Sequence, residues 1–292
     1  MDVVPLTSAI GAEVRGVDLS ADLDDAAIDG IRAALLDRLV LFFPNQHLDD
    51  ERHIAFAERF GPISVPTFTT GSSQRPEIIV LDQVAPYGEG ADSWHADNTY
   101  MAEPPMASIL RAVRLPGLGG DTCFSSMYAA YEGLSPALQG FLDGLTATHD
   151  IMVMVERTKH LQNAGLRESA KLWPPVVHPV VRVHPETGRK LLNVNANWTV
   201  RVNELGRDES DALLAFLFRH IQRPEFVCRL HWATGAVAFW DNRVVQHYAV
   251  PDYAERRVMH RVTVAGDRPC GPAAHAPAAP AAAPAPPQGR VA

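Results

Sequence analysis

Apolar residues recur along this chain in two rhythms. The slower, helical one places Ile28, Ile31, Leu35, Leu36 and Leu39 of "DDAAIDGIRAALLDRLV" on one face. It also spaces Leu213, Leu214, Leu217 and Ile221 of "DESDALLAFLFRHI". In "SPALQGFLDGL", Ser135 offers an N-cap and Pro136 suits the first helical position. These helices read as packing elements. The faster rhythm is more frequent: "EIIVLD", "ASILRAVRL", "VVHPVVRV", "KLLNVN", "EFVCRLHW", "AVAFW" and "RRVMHRVTV" are strand-like runs, mostly divided by Gly, Pro, Asn or Asp. Strands and helices do not alternate strictly, which disfavours a doubly wound α/β sheet. The pattern predicts a mainly β protein with surrounding helices (α+β), as an antiparallel sandwich or jelly roll.

Composition narrows the class. The chain has 292 residues, 47% hydrophobic and 21% charged, enough for one large domain with a sizeable core. Its net charge of −8 argues against a nucleic-acid or anionic-membrane partner, each of which needs a basic face. No long apolar run predicts a membrane span, and "MDVVPLTSAIGAEVRG" does not read as a signal peptide. Cys123, Cys228 and Cys270 are odd in number and far apart, so a reduced, cytoplasmic setting is expected. No internal repeat is visible. The Pro/Ala-rich stretch 269–292 has almost nothing to bury and reads as a disordered tail, leaving residues 1–268 as one domain. His275 in that tail reads as solvated, and truncation after Pro269 is expected to leave activity intact.

Two stretches contain His-x-Asp. His47 and Asp49 precede the helical pattern "DDERHIAFAERF", where Asp49 or Asp50 serves as an N-cap and the histidine needs no special role. His95 and Asp97, in "SWHADNTY", lead towards an extended run. In a strand, positions i and i+2 point to one side, so both could share a metal. The best third ligand is His247 in "FWDNRVVQHYAV", which otherwise reads as a core or surface histidine. Two histidines and one carboxylate on one face of a metal form the facial triad of non-haem Fe(II) oxygenases, with positions open for a bidentate cosubstrate and O₂.

The next strand adds charge. In "ERRVMHRVTVAG", period 2 puts Arg257, Met259, Arg261 and Thr263 on one face and Val258, His260, Val262 and Val264 on the other. Buried arginines need anionic partners, either internal carboxylates or a ligand. Arg257 follows His247 by ten residues across a short turn and could stand beside the metal on the neighbouring strand, gripping a carboxylate in a bidentate way.

Together, "WHADNTY", "PPMASILRAVRLPGLGGDTCFSSMYAAYEGLS", "HPVVRVHPETGRKLL" and "WDNRVVQHYAVPDYAERRVMHRVTVAGDRP" resemble the TauD/TfdA family of Fe(II)- and 2-oxoglutarate-dependent oxygenases. The resemblance runs from about Ile10 to Pro269, with the blocks in the family's order. It implies a double-stranded β-helix (jelly-roll, cupin-like) core, with Fe(II) held by His95, Asp97 and His247. It implies that Thr122 and Arg257 bind the distal carboxylate of 2-oxoglutarate. The implied reaction uses O₂, yields succinate and CO₂, and hydroxylates a substrate carbon, which next to a heteroatom leads to C–S or C–O cleavage. Self-association as a dimer or tetramer is implied as well.

For the substrate, Arg261 matches the family position that meets an anionic head, or else it helps hold 2-oxoglutarate or a nearby carboxylate. Taurine fits poorly. Pro66 and Thr69 stand where the taurine enzymes have a histidine and a tyrosine, and Ala91 stands where they have an asparagine. A site without those hydrogen-bonding groups discriminates poorly for a small zwitterion. Trp198 falls at an aromatic pocket wall, and Met152, Met154 and Val155 in a lid-like segment, unless these last pack the core. Arg261, Asn98, Trp198 and Val155 are therefore the expected substrate-binding residues. The expected substrate is an alkyl or aryl sulfonate, a sulfate ester or an aryloxy acid. Competing readings are taurine dioxygenation proper, a biosynthetic hydroxylase of an amino-acid derivative, a zinc hydrolase, and a non-catalytic jelly-roll binding protein.

Overall fold

The computed structural model describes residues 1–65, 75–84, 91–161, 167–168 and 170–272. Pro66 and Thr69, together with residues 273–292 of the expected tail, lie outside the described residues.

The largest sheet has seven strands. In spatial order they are β1 (Asp2–Pro5), β2 (Ala12–Arg15), β3 (Val40–Phe43), β13 (Val237–Asp241), β5 (Ala107–Arg114), β15 (Arg257–Val264) and β4 (Ile79–Gln83). A second sheet is β12 (Val227–Leu230), β6 (Thr122–Ser126) and β14 (Val245–Ala249). Two smaller ones are β11 (Thr199–Val202), β7 (Thr146–His149) and β8 (Val176–Pro179), and the pair β9 (Val181–Val183) and β10 (Lys190–Leu192). All pairings are antiparallel except β2 with β3. The helices are α1 (Asp25–Arg38), α2 (Asp50–Glu58), α3 (Met127–Glu132), α4 (Pro136–Leu142), α5 (Met152–Arg157) and α6 (Arg207–His220). Among the described residues no helix is long and apolar enough to cross a membrane.

Every strand-like run of the sequence contains a strand, and the α+β expectation holds. The strands form four sheets and no closed barrel among the described residues. Strand β13 shows why the large sheet is apolar on both faces. Ala238 and Trp240 enter the interior that also takes Phe124 of β6 and Val245 of β14, while Val237 and Phe239 face the other way. That outer face is covered by Ile28, Ile31 and Leu35 of α1 and by Ile54, Phe56 and Ala57 of α2. A strand buried on both sides reads as a continuous apolar run, as "AVAFW" does. Each such side chain stabilises the fold by roughly 1.5–3 kcal/mol.

Asp49 caps α2, its carboxylate accepting from Arg52 N at 2.7 Å, and His47 is exposed. On β15 the predicted alternation appears: Met259 packs in the interior, Val262 and Val264 under the helices. One expectation is corrected. Arg257 is not on a strand hydrogen-bonded to that of His247; β14 and β15 belong to different sheets. The turn between them crosses from one sheet to the other, so Arg257 reaches the site from across the interior. Past the expected domain boundary at 268, the Cys270 carbonyl still accepts from Val183 N at 2.8 Å.

Candidate metal centre and anion pocket

His95, Asp97 and His247 meet with one ligand atom each lying within 4.8 Å of the others. The Nε2 atoms of His95 and His247 are each 3.9 Å from Asp97 Oδ1, and the two rings are 4.2 Å apart. The two histidines form an antiparallel bridge, His95 N donating to His247 O at 3.0 Å and His247 N to His95 O at 2.8 Å. The approach to His95 therefore runs beside β14.

Asp97 is not in a strand; it opens a turn. Its main chain is gripped by the side chain of Asn242, whose Oδ1 accepts from Asp97 N at 2.7 Å and whose Nδ2 donates to Asp97 O at 3.0 Å. The turn continues through Asn98 in the left-handed region at φ 53°, a conformation asparagine tolerates. The side-chain amide of Asn242 thus does what a β ladder was expected to do.

The protonation states suit a metal. Burial pushes the His95 and His247 imidazoles below their ordinary value, so both are neutral. Burial alone would raise Asp97, but the Arg261 guanidinium, helped by the Ser108 hydrogen bond, holds its carboxyl well below the usual range. Neutral imidazoles and an ionised carboxylate are the ligand forms a cation requires. The tautomer of His95 is fixed as well: Nδ1 is 2.7 Å from Ser93 O, which only accepts, so Nε2 carries the lone pair. Ser108 Oγ donates to Asp97 Oδ2 at 2.8 Å, leaving Oδ1 towards the histidines and Arg261 Nη1, which lies 2.7 Å away.

The second feature is a buried cation. Arg257 is 2% exposed, and neither its Nε nor its Nη2 has a partner. No carboxylate lies within ion-pair distance among the described residues. Trp232 and Tyr253 flank it, each ring centre 5.9 Å from the guanidinium carbon. Trp232 Nε1 donates to Thr122 Oγ1 at 3.0 Å, which brings Thr122 to the same pocket. Burial lowers the Arg257 pKa, opposed by Tyr253 and Asp121. Gly120, at φ 76°, closes the pocket floor; a Cβ there would stand 3.2 Å from Arg257 Cδ. Unpaired N–H groups on a buried guanidinium are costly, and a flat, two-oxygen anion has the geometry to satisfy them.

On the other side of the metal loop lies an apolar cluster of Tyr100, Ile151, Met154, Val155, Ala170 and Trp198. The Trp198 indole donates to Ala96 O, between the two loop ligands, at 2.9 Å, and its ring lies 4.8 Å from that of Tyr100.

Comparison with known proteins agrees with this geometry. The family model "Taurine catabolism dioxygenase TauD, TfdA family" matches residues 2–263. This chain belongs to the TauD/TfdA family. It is a non-haem iron dioxygenase dependent on 2-oxoglutarate, using Fe(II), 2-oxoglutarate and O₂. It is 40% identical over 279 residues to an alpha-ketoglutarate-dependent sulfate ester dioxygenase of Pseudomonas putida, covering 93% of this chain and 91% of the relative. It is 39% identical to an alkylsulfatase of Acinetobacter baylyi, covering 90% and 84%. A crystal structure of a taurine dioxygenase from Burkholderia xenovorans superposes with a TM-score of 0.81 at 38% identity, covering 93% of each chain.

Within this TauD/TfdA fold, the expected residues divide cleanly. His95, Asp97 and His247 come together as a His-Asp-His group, and Thr122 and Arg257 both lie against Trp232. Trp198, Met154 and Val155 line the apolar cluster, whereas Met152 is 43% exposed and stands apart from it. Arg261 lies on Asp97, the nearby-carboxylate alternative, with its Nε still unpartnered. Asn98 is half-buried in the turn after Asp97, and Ala91 O accepts from Ala249 N at 2.9 Å. The sequence reading missed Asn242, Ser108, Ser93 and Trp232. Only Asn242 had a visible signal, as the polar residue inside "FWDNRVV".

Proposed function

We propose that this enzyme oxidises the carbon next to the heteroatom of a largely apolar anion, a sulfate ester foremost, with alkyl or aryl sulfonates and aryloxy acids as the wider class. The observation that carries this reading is the pairing, around one metal loop, of the apolar cluster at Trp198 with the cation at Arg261. The relatives named for sulfate esters and alkyl sulfates support it. Loaded with Fe(II) and 2-oxoglutarate, the site supplies an oxidant strong enough to take hydrogen from a C–H bond, while 2-oxoglutarate leaves as succinate and CO₂. The chain's own residues do the rest. His95, Asp97 and His247 hold the metal, and Arg257 with Thr122 holds the distal carboxylate. Trp198, Tyr100, Met154 and Val155 exclude water and seat the carbon chain, with Arg261 and Asn98 on the anionic side.

For a primary alkyl sulfate the balance is substrate, 2-oxoglutarate and O₂ giving aldehyde, sulfate, succinate and CO₂. The test is a panel of hexyl sulfate, hexanesulfonate, an aryloxypropionate and taurine, followed by succinate and by sulfate or sulfite release. Succinate and sulfate formed one to one from hexyl sulfate is the expected result; taurine turned over as fast would sink the assignment. The same reading takes the two facing sheets as the halves of a jelly roll, 1–268 as the catalytic domain, and the protein as cytoplasmic. The three free cysteines support that location. Self-association rests on family resemblance.

A further inference from the structure

Helix α5 and the metal loop are joined by one guanidinium. Arg157, the last residue of α5, donates from Nη1 to Ser93 Oγ at 2.6 Å and to Asn197 Oδ1 at 2.7 Å. Its Nη2 lies 3.9 Å from Asp92 Oδ1. Ser93 Oγ also donates to Asn197 Oδ1, so the three side chains form a closed knot.

Two of these contacts lead to the metal ligands in one further step. The Ser93 carbonyl accepts a hydrogen bond from His95 Nδ1–H and so aims Nε2. Asn197 is 1% exposed and precedes Trp198, whose indole holds the Ala96 carbonyl between His95 and Asp97. Meanwhile Met154 and Val155 of the same short helix are buried against Trp198 and Tyr100. Helix α5 thus gives its apolar face to the wall beside the triad and its cationic end to the side chain of Ser93, whose carbonyl orients His95.

We propose that Arg157 is a positioning residue that couples the docking of α5 to the aim of His95, so that metal ligation and closure of the apolar wall strengthen each other. The inference rests on the triad being a metal site and is independent of which substrate is used. A guanidinium suits the task because its fork satisfies several acceptors in fixed directions, whereas an ammonium is a point charge. The group is partly exposed, so its effect comes through geometry more than through Coulomb energy.

Groups that orient a metal-bound histidine typically change metal affinity by 10–100-fold, and Arg157 acts one bond further out, so about 10-fold is expected. The experiment titrates Co(II) alone into the full-length protein and its variants, reading the ligand-field absorption. Arg157→Ala should weaken Co(II) binding about 10-fold and alter the band shape. Its thermal midpoint without metal and the 2-oxoglutarate affinity of the Co(II) form should match wild type. Arg157→Lys, which keeps a cation near Ser93, should recover part of the affinity. Ser93→Ala, which removes the hydroxyl and keeps the carbonyl, should shift binding in the same direction. A folded Arg157→Ala with wild-type Co(II) affinity and spectrum overturns the proposal. Should Arg157→Ala fail to fold, wild-type binding by Ser93→Ala overturns it. Wild-type protein that binds no Co(II) overturns this proposal and the metal-centre reading together, and is thereby distinguished from binding that ignores Arg157.

Discussion

Arg257 and Arg261 lie four residues apart on one face of β15, at its start and its middle, yet the two positions are built to different rules. Arg261 faces an internal carboxylate, Asp97 Oδ1, at 2.7 Å. Arg257 is more deeply buried, with two aromatic rings and a glycine around it and, among the described residues, no carboxylate within ion-pair distance. A protein keeps a charge in the first condition at modest cost, because the pair neutralises itself. The second condition is stable only to the extent that a ligand completes it. Arg261 is thus held by the protein's own electrostatics, whereas Arg257 is the position that, on the function proposed above, the cosubstrate completes.

The same replacement at each position separates the two rules. Arg261→Met leaves Asp97 buried between two neutral imidazoles without its cation. In chelator-treated protein this should cost about 3–5 kcal/mol of unfolding free energy. Added divalent metal should restore much of it, since the ion binds the folded state alone. Urea titrations with and without metal measure both. An unchanged metal-free stability would break the comparison, because it would mean that the Asp97 pair carries nothing.

Arg257→Met should act in the opposite way. Removing a cation with two unpartnered nitrogens should leave metal-free stability unchanged or raise it by about 1 kcal/mol. The KM for 2-oxoglutarate should rise roughly 100-fold, the usual range for deleting one side of a buried ion pair. Steady-state succinate formation against 2-oxoglutarate concentration measures the KM. A large loss of stability with an unchanged KM would show that Arg257 is an internal structural charge like Arg261.

Much of this asymmetry could be read in the sequence, but not its cause. Period 2 in "RRVMHRVTV" placed both arginines on one face and assigned the opposite face to the core, because alternation is a local property of an extended chain. Helix α1 and the doubly buried β13 were legible for the same reason. What local pattern cannot encode is which distant residue completes a contact. Asp97 is fixed by Asn242, 145 positions away, so local pattern points to a strand where the chain makes a turn. The short link from His247 to Arg257 suggested neighbouring strands, but it crosses between sheets. His47 and Asp49 show the converse. Their role was legible because an N-cap is satisfied within three residues. The brief helices α3 and α5 left too few turns for a period to show.

The finest test concerns how Asp97 divides its two oxygens. Ser108 is fully buried and donates to Oδ2, while Arg261 and the histidines share the Oδ1 side. Ser108→Ala removes one hydrogen bond to a charged acceptor, for an expected loss of about 1–2 kcal/mol in metal-free stability. Without that bond the carboxylate is free to rotate, and Arg261 can take both oxygens in a bidentate pair. Metal binding should then weaken by about 10-fold, as expected when an outer partner of a ligand is lost. In the double variant Ser108→Ala/Arg261→Met the metal-affinity effect should be smaller than the sum of the singles, because the competing guanidinium is gone. A cycle of the four proteins titrated with Co(II) measures that coupling. Strict additivity would mean that Ser108 and Arg261 act on Asp97 independently, and that the two oxygens are not a shared resource between protein and metal.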